Sequence, residues 1–545
     1  MSEYRESSLI KNAFILSSAA ILSKVVGAFY QAFLYQIVGS AGVGIYMKGI
    51  SFYAMLLAVS ASGIPIAISK LMAEERSRGN YRTAKRIFSY STMILTILGA
   101  VFSFGLFFFA PFISERIFQD PRTLYVLQAM SPALLVVTIM GAFRGYFQGH
   151  QNMMPTGLSQ IVEQLARVAF SVGITLFFVR TFEYIPVIRI INGIALGPFI
   201  GALFGIIVLI LYLVRDYNRG GEVLTDRNPG GNRALVKRIL LFAIPVTMSA
   251  LLPTLMDVVE GVVMPNGLLD SGFSIEKTDA LYGSFSGAVM ALVNLIVATS
   301  SAFATSIVPA ISAALARNNT GEVIRKINLS LKMVCLISIP AGFGLLFLGE
   351  PVLDLIFNAP EAVRILQFSV LMVLFIGLYH NTTGILQGMG RTYIPILSLT
   401  AGLLVNVVLL QFFLGLSAIR EIAAPLAYTG AYLLAFLVNY QVIRKTLDLR
   451  SSWISWIPRV AVSALASAAT AVVVYYPFFN LIHNFTGKSI AQLVAILLGV
   501  AAAVVVYLFS LILSKGISRE EAMSIPRLNR IMLKLYRLVG SPDGE

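Results

Sequence analysis

Charge is what this sequence has least of. Lys, Arg, Asp and Glu make up only 12% of its 545 residues, against 57% hydrophobic residues, and the mean hydropathy is +0.82. A water-soluble fold of this length has no interior large enough for that much apolar surface, so soluble classes are excluded and lipid is the remaining solvent. Cysteine occurs once, at Cys335 inside an apolar run, which rules out an internal disulfide and leaves packing as its expected role. Histidine occurs three times. No cluster has metal-ligand spacing, no Ser/His/Asp set is present, and no connector is long enough for a soluble catalytic domain. An enzyme is therefore not expected, nor a metal or other cofactor. The glycines of "GSAGVG" (39–44) are spaced like those of a nucleotide loop, but they follow a membrane-type helix instead of a strand.

What is present is one apolar run after another. A span needs about 20 predominantly apolar residues. Candidates fall at 12–37, 43–69, 88–110, 123–146, 157–180, 190–214, 239–264, 281–312, 333–350, 362–386, 395–416, 422–443, 455–480 and 490–514. The expected class is an all-α integral membrane protein of about fourteen transmembrane helices. Gly63, Pro65, Gly197, Pro198, Pro245 and Pro253 lie inside spans, where membrane helices tolerate bends.

The net charge of +15 does not point to nucleic acid, because its placement follows the spans. With the N-terminus in the cytoplasm, only Arg116, Arg122, Arg180, Arg189, Lys277, Arg364, Arg420 and Lys488 fall outside. Lys24, Lys48 and Arg167 fall within spans, and all other Lys and Arg residues are cytoplasmic. That asymmetry orients both termini to the cytoplasm of a multi-pass cell-membrane protein. The polar start "MSEYRESSLIKN" reads as a cytoplasmic lead, not a removed signal peptide. The tail segment "IPRLNRIMLKLYRLV" is suited to lie as an amphipathic helix on the inner leaflet.

The chain also repeats itself. "LIKNAFIL" (9–16) matches "LVKRILLF" (235–242), "PIAISKLMAEERSRGN" (65–80) matches "VPAISAALARNNTGE" (308–322), and "YFQGHQNMMP" (146–155) matches "ILQGMGRTYIP" (385–395), at offsets of 226, 243 and 239. The first change of offset is read as an inserted outer loop at 265–280. The expected organisation is a six-helix lobe over 1–214, a cytoplasmic linker over 215–238, a second six-helix lobe over 239–444, two further helices over 445–514, and a tail over 515–545. Six spans per lobe make the repeats parallel, with a substrate path between them.

Four segments, "LSKVVGAFYQAFLYQIVGSAGVGIY" (22–46), "SGIPIAISKLMAEERSRG" (62–79), "FRGYFQGHQNMMPTGLSQIVEQLARV" (143–168) and "GILQGMGRTYIP" (384–395), resemble the multidrug/oligosaccharidyl-lipid/polysaccharide exporter superfamily. Within it they resemble the polysaccharide-transporter branch that holds the Gram-positive lipid II flippases and the stage V sporulation protein B group. The resemblance implies an alternating-access exporter that turns a polyprenyl-diphosphate-linked sugar across the membrane through a cationic cavity, in contact with membrane lipid and with cell-wall synthesis proteins as further partners. Gln31 and Ser286 stand where that branch commonly carries arginine, so two cavity cations are absent, and Lys48 looks like an addition.

A diphosphate needs cationic donors in a low-dielectric cavity. Lys24, midway along the first span, is the leading candidate, with Lys48, Gln31 and Ser286 as further substrate-binding positions; Lys48 has snorkelling to the interface as its alternative. Asp257 and Glu260 are three apart on one helix face and suit coupling to Na+ or protons, or a counter-charge for Lys24. Glu163 and Arg167 are four apart and read as a gating or structural pair. The alternatives to a flippase are a cation-coupled small-molecule exporter of the same superfamily and a non-transporting scaffold for cell-wall or sporulation assembly.

Overall fold

The computed structural model describes residues 2–182, 186–217, 231–448 and 456–517. Most of the expected linker and the tail with its amphipathic segment lie outside the described residues. Among those described there is no strand. Thirteen helical stretches among the described residues are long and apolar enough to cross a membrane. Fourteen were expected, and the first stretch accounts for the difference. Helix α1 (Ser2–Ala61) breaks at Gly39, whose φ of 67° and ψ of 174° lie where a β-carbon would clash. The phenols of Tyr30 and Tyr46 lie side by side, although a straight helix would part them by about 24 Å. The chain therefore folds back at Gly39, and α1 is two antiparallel arms, matching the spans expected at 12–37 and 43–69.

Contacts divide the chain into two compact units, Met1–Gly287 and Ala288–Glu545. The first holds α1, α2 (Gly63–Ser77), α3 (Tyr81–Phe112), α4 (Leu124–Gly149), α5 (Met154–Thr181), α6 (Val187–Ile194), α7 (Gly197–Tyr217), α8 (Asn232–Asp270) and α9 (Ile275–Gly283). The packing boundary thus lies well past the expected lobe boundary at 215–238, because α8 and α9 pack on α1 and α2. A methyl group at Gly63 would come within 2.2 Å of the Ala243 carbonyl oxygen, so α2 and α8 touch backbone to backbone. Ile68, Met72, Ile87, Leu95 and Ile239 bury the seam between α2, α3 and α8.

The segment 265–280, expected as an inserted loop, is instead mostly helical. Helix α8 runs through Pro265 to Asp270, Gly272 (φ 87°) ends it, and the Phe273 amide reaches back to the Leu268 carbonyl. Ser274 then caps α9, its hydroxyl accepting from the Lys277 amide.

The second unit holds α10 (Met290–Ala316), α11 (Thr320–Phe357), α12 (Ala362–Phe368), α13 (Val370–Gly388), α14 (Tyr393–Gly415), α15 (Ala423–Leu447), α16 (Ile457–His483) and α17 (Lys488–Leu513). The last two helices lean on α11. Lys488 and Gln492 each reach the Asp354 carboxylate at 2.8 Å, and the Tyr507 hydroxyl donates to the Leu336 carbonyl at 2.8 Å.

One helix crossing occurs once in each unit and fixes the register of the repeat. In the first, a methyl group at Gly145 would lie 2.6 Å from the Pro65 oxygen, and one at Gly149 would lie 3.0 Å from Met72 Cβ. In the second, Gly384 would meet the Ala304 oxygen at 2.4 Å, and Gly388 would meet Ile311 Cβ at 3.1 Å. Each of these four pairs is offset by 239 residues. The expected alignment of 65–80 with 308–322, offset by 243, is therefore one helical turn out of register. The shared Ala-Ile-Ser tripeptide is responsible: on an apolar helix, a slip of one turn leaves the same face apolar.

Outward faces carry what a soluble protein hides. Phe104, Phe108, Phe109 and Phe112 of α3 are all exposed, as a lipid-facing surface requires.

Candidate functional site

Among the described residues of the first unit, charged side chains form at least three clusters. At the end of the bundle where α1 turns, Lys48 is 3% exposed and sits between two carboxylates, 2.8 Å from Asp120 Oδ2 and 2.9 Å from Asp279 Oδ1. Arg122 closes the ring, with Nε 2.8 Å from Asp120 Oδ1 and Nη2 2.5 Å from Asp279 Oδ2. Two cations and two anions cancel, and each carboxylate is bonded by both cations. Asp120 is fixed locally, since it also accepts from the Arg122 amide ahead of the turn at Pro121–Thr123. Burial alone would raise its carboxyl, but the hydrogen bonds and charges of Arg122 and Lys48 outweigh that and hold it below the usual carboxylate range.

Bare backbone brings Asp279 to this position. A methyl group at Gly44 would fall 2.2 Å from the Asp279 oxygen, and one at Gly283 would fall 2.1 Å from the Ser40 oxygen. Tyr35 spans the same seam, its hydroxyl donating to the Gly283 carbonyl.

Deeper in the bundle lies the Glu163–Arg167 pair, joined at 3.3 Å. It has a third member. Arg144 of α4 holds Glu163 more tightly, at 2.8 Å, and also donates to Ser159 at 3.0 Å. One carboxylate thus serves two guanidinium groups, and the pair expected to neutralise itself carries a net positive charge.

At the opposite end, Arg238 of α8 forks onto α2, 2.8 Å from Glu74 and 2.6 Å from Glu75. Glu75, only 6% exposed, also accepts from Asn80 at 2.8 Å. This ties α8 to α2 independently of the cluster at the turn.

The remaining expected residues are dispersed. Lys24 is exposed on the first arm of α1 and has no ion pair among the described residues. Gln31, seven positions on, is half-buried on the same face. Glu260 is buried and Asp257 half-buried, and both act electrostatically on the buried Tyr282. Ser286 lies in a π-helical turn, Ser284–Val289, and its hydroxyl donates to the Tyr282 carbonyl at 2.8 Å. Lys48, expected as a phosphate ligand, is instead committed to carboxylates in this arrangement. Among the described residues no group of three or more His, Cys, Asp or Glu side chains could hold a metal ion.

The model of a family described as polysaccharide biosynthesis protein matches residues 9–315, more than half of the chain. The chain belongs to that family. A second model, MatE, matches residues 284–412. The chain is 24% identical over 535 residues to stage V sporulation protein B of Bacillus subtilis (strain 168), covering 96% of this chain and 99% of that one. It is 26% identical over 529 residues to the lipid II flippase MurJ of the same organism, covering 92% and 95%. A solved structure of lipid II flippase MurJ in an inward closed conformation superposes with a TM-score of 0.63 at 17% identity, over 92% of this chain and 99% of that one. An inward-facing multidrug resistance transporter of the MATE family superposes with a TM-score of 0.63 at 13% identity, over 79% and 96%. The fold is that of the multidrug/oligosaccharidyl-lipid/polysaccharide superfamily, and the chain is a multi-pass membrane protein.

Sequence reading had missed Asp120, Arg122, Asp279 and Arg144. The first three lie in "QDPRT" and "EKTDA", which read as loop charges; the Asp-Pro step, typical of a helix start, was the only local signal.

Proposed function

We propose that the protein carries a polyprenyl-diphosphate-linked sugar from the inner to the outer leaflet by alternating access, with both termini in the cytoplasm. The observation that carries this reading is Lys24, an exposed cation on an apolar span with no counter-ion among the described residues, in a chain alignable over nearly its whole length with a lipid II flippase. Charge at membrane depth is retained where it meets a partner or a polar path. A diphosphate is such a partner, and a lysine point charge tolerates varied phosphate geometry. In this reading Gln31, on the same face, contributes a neutral donor. Ser286 is a further substrate contact, and Asp257 and Glu260 beside Tyr282 take up Na+ or a proton as the cycle turns. The ring of Lys48, Asp120, Arg122 and Asp279 then closes the outer side, consistent with the positive-inside orientation.

The test is complementation of a flippase-depleted strain. Lys24→Ala should give no rescue at normal protein level; full rescue removes Lys24 from the substrate path. If Asp257 takes up the coupling ion, Asp257→Asn should remove the pH or sodium dependence of transport, and unchanged dependence excludes that role.

A further inference from the structure

The crossing of α4 on α2 at Gly145 and Gly149 ends in two side chains that the proposed transport does not use. Arg76, in the last turn of α2, and His150, which follows α4, are both half-buried. The imidazole is bonded at both nitrogens: Nδ1 is 2.9 Å from the Tyr146 carbonyl oxygen, and Nε2 is 2.6 Å from Arg76 Nη1. Those two partners fix the tautomer. A carbonyl oxygen only accepts, so Nδ1 carries the proton. A guanidinium only donates, so Nε2 is the acceptor and the ring is neutral. A second proton can go only to Nε2, where it sets N–H against N–H and cation against cation.

The second unit makes the same crossing without such a pair. At the offset of 239 residues, Met389 stands for His150 and Leu315 for Arg76. The helix ends are otherwise alike. The amides of His150 and Met389 reach back to the carbonyls of Tyr146 and Ile385, and those of Asn152 and Arg391 to Phe147 and Leu386. Gln151 and Gly390 both take positive φ. The backbone crossing therefore forms with apolar side chains at these two positions, and a titratable pair is not required to build it.

The groups around the pair come from α2, α3, α4 and α8. On α2, Glu74 is bonded to Arg78 and to Arg238 of α8, and Glu75 to Arg238 and Asn80. On α3, the Tyr81 ring lies under the Arg76 guanidinium, its centroid 5.7 Å away. On α4, the Tyr146 ring is 4.1 Å from the imidazole. These carboxylates are engaged by arginine, and the charge that His150 meets through its Nε2 bond is positive.

We propose that Arg76 and His150 form a pH-sensitive latch between α2 and α4, closed while the imidazole is neutral and opened when Nε2 takes up a proton. Acid then frees the last turn of α2, which carries Glu74 and Glu75 and through them the Arg238 tie to α8. In the orientation proposed above, the latch reads the cytoplasm. It depends neither on the cargo nor on the role given to Lys24.

The experiment uses the full chain in nanodiscs, with Ser69→Cys reporting on the crossing. A methyl group at Gly149 would come 3.3 Å from the Ser69 carbonyl oxygen, and the natural thiol, Cys335, is buried. Maleimide labelling is measured at about pH 8 and about pH 5.5, either side of the ordinary imidazole value of about 6.5. At each pH the rate is divided by that of the same reporter carrying His150→Gln, so the thiolate fraction cancels. The glutamine oxygen still accepts from Arg76 but takes up no proton. A second ratio uses Arg76→Leu with His150→Met, the residues the second unit already carries at this crossing. Both ratios should rise at least about fivefold on acidification, because two unit charges this close repel even in a water-like dielectric. A ratio to either variant that stays level overturns the latch, and His150→Gln decides alone should the double variant not fold.

Discussion

Lys48 is the residue whose role the structure changes most. Read in sequence, it is a cation in an apolar span; folded, it is the centre of a neutral ring. Removing one member of a buried ion pair typically costs about 3–5 kcal/mol, because the other charge is left in low dielectric. Lys48→Ala should therefore lower the thermal midpoint in detergent far more than Lys24→Ala, whose side chain is exposed; equal shifts would contradict the ring. The depressed carboxyl of Asp120 sets a sign for acid. A lowered folded pKa contributes stability that is complete above about 3.9, the usual aspartate value, and is lost as pH falls through the lower folded value. Asp120→Asn should flatten that acid limb of the midpoint-against-pH curve, and an unchanged limb argues against the ring as its source. Glu163 carries a related expectation. Because Arg144 shares its carboxylate, removing Glu163 and Arg167 together still strands Arg144. Folding yield by size-exclusion chromatography should stay low in Glu163→Ala with Arg167→Ala and recover when Arg144→Leu is added. Recovery in the double variant alone would restore the simple pair.

At the scale of elements, the sequence was most informative about spans. Length and hydropathy alone locate nearly every helix, since lipid imposes both. The reversal at Gly39 was also legible, as a break between two apolar runs. Two things were not. The register of the repeat slipped by a turn, because apolar helices match at several registers. The ring at Lys48 joins positions 72 and 231 residues apart, a separation across which no local pattern carries information. The seam beside it rests on glycines that permit backbone contact between α1 and α9. Gly283→Val should wedge that seam and raise labelling of Ser40→Cys by a membrane-impermeant maleimide added from outside. The background is low because Cys335, the one natural thiol, is buried. Unchanged labelling would show that the seam does not govern access.

For the whole molecule, the family and the fold are established by matches along the chain, and the cargo is what the proposal adds. Charge asymmetry, similarity to a lipid II flippase along most of the chain and an exposed cation in the first span are what support the proposed lipid-linked anion. Within that proposal, Gln31 and Ser286 hold the cargo through neutral side chains instead of a guanidinium clamp. The most direct measurement is translocation in liposomes. Purified protein is reconstituted with a fluorescent polyprenyl-diphosphate sugar, and a membrane-impermeant quencher reports how much of the probe faces outward. The account predicts protein-dependent exchange of probe between leaflets that is lost in Lys24→Ala. Exchange no faster than in protein-free liposomes, across a panel of such sugars, would contradict it.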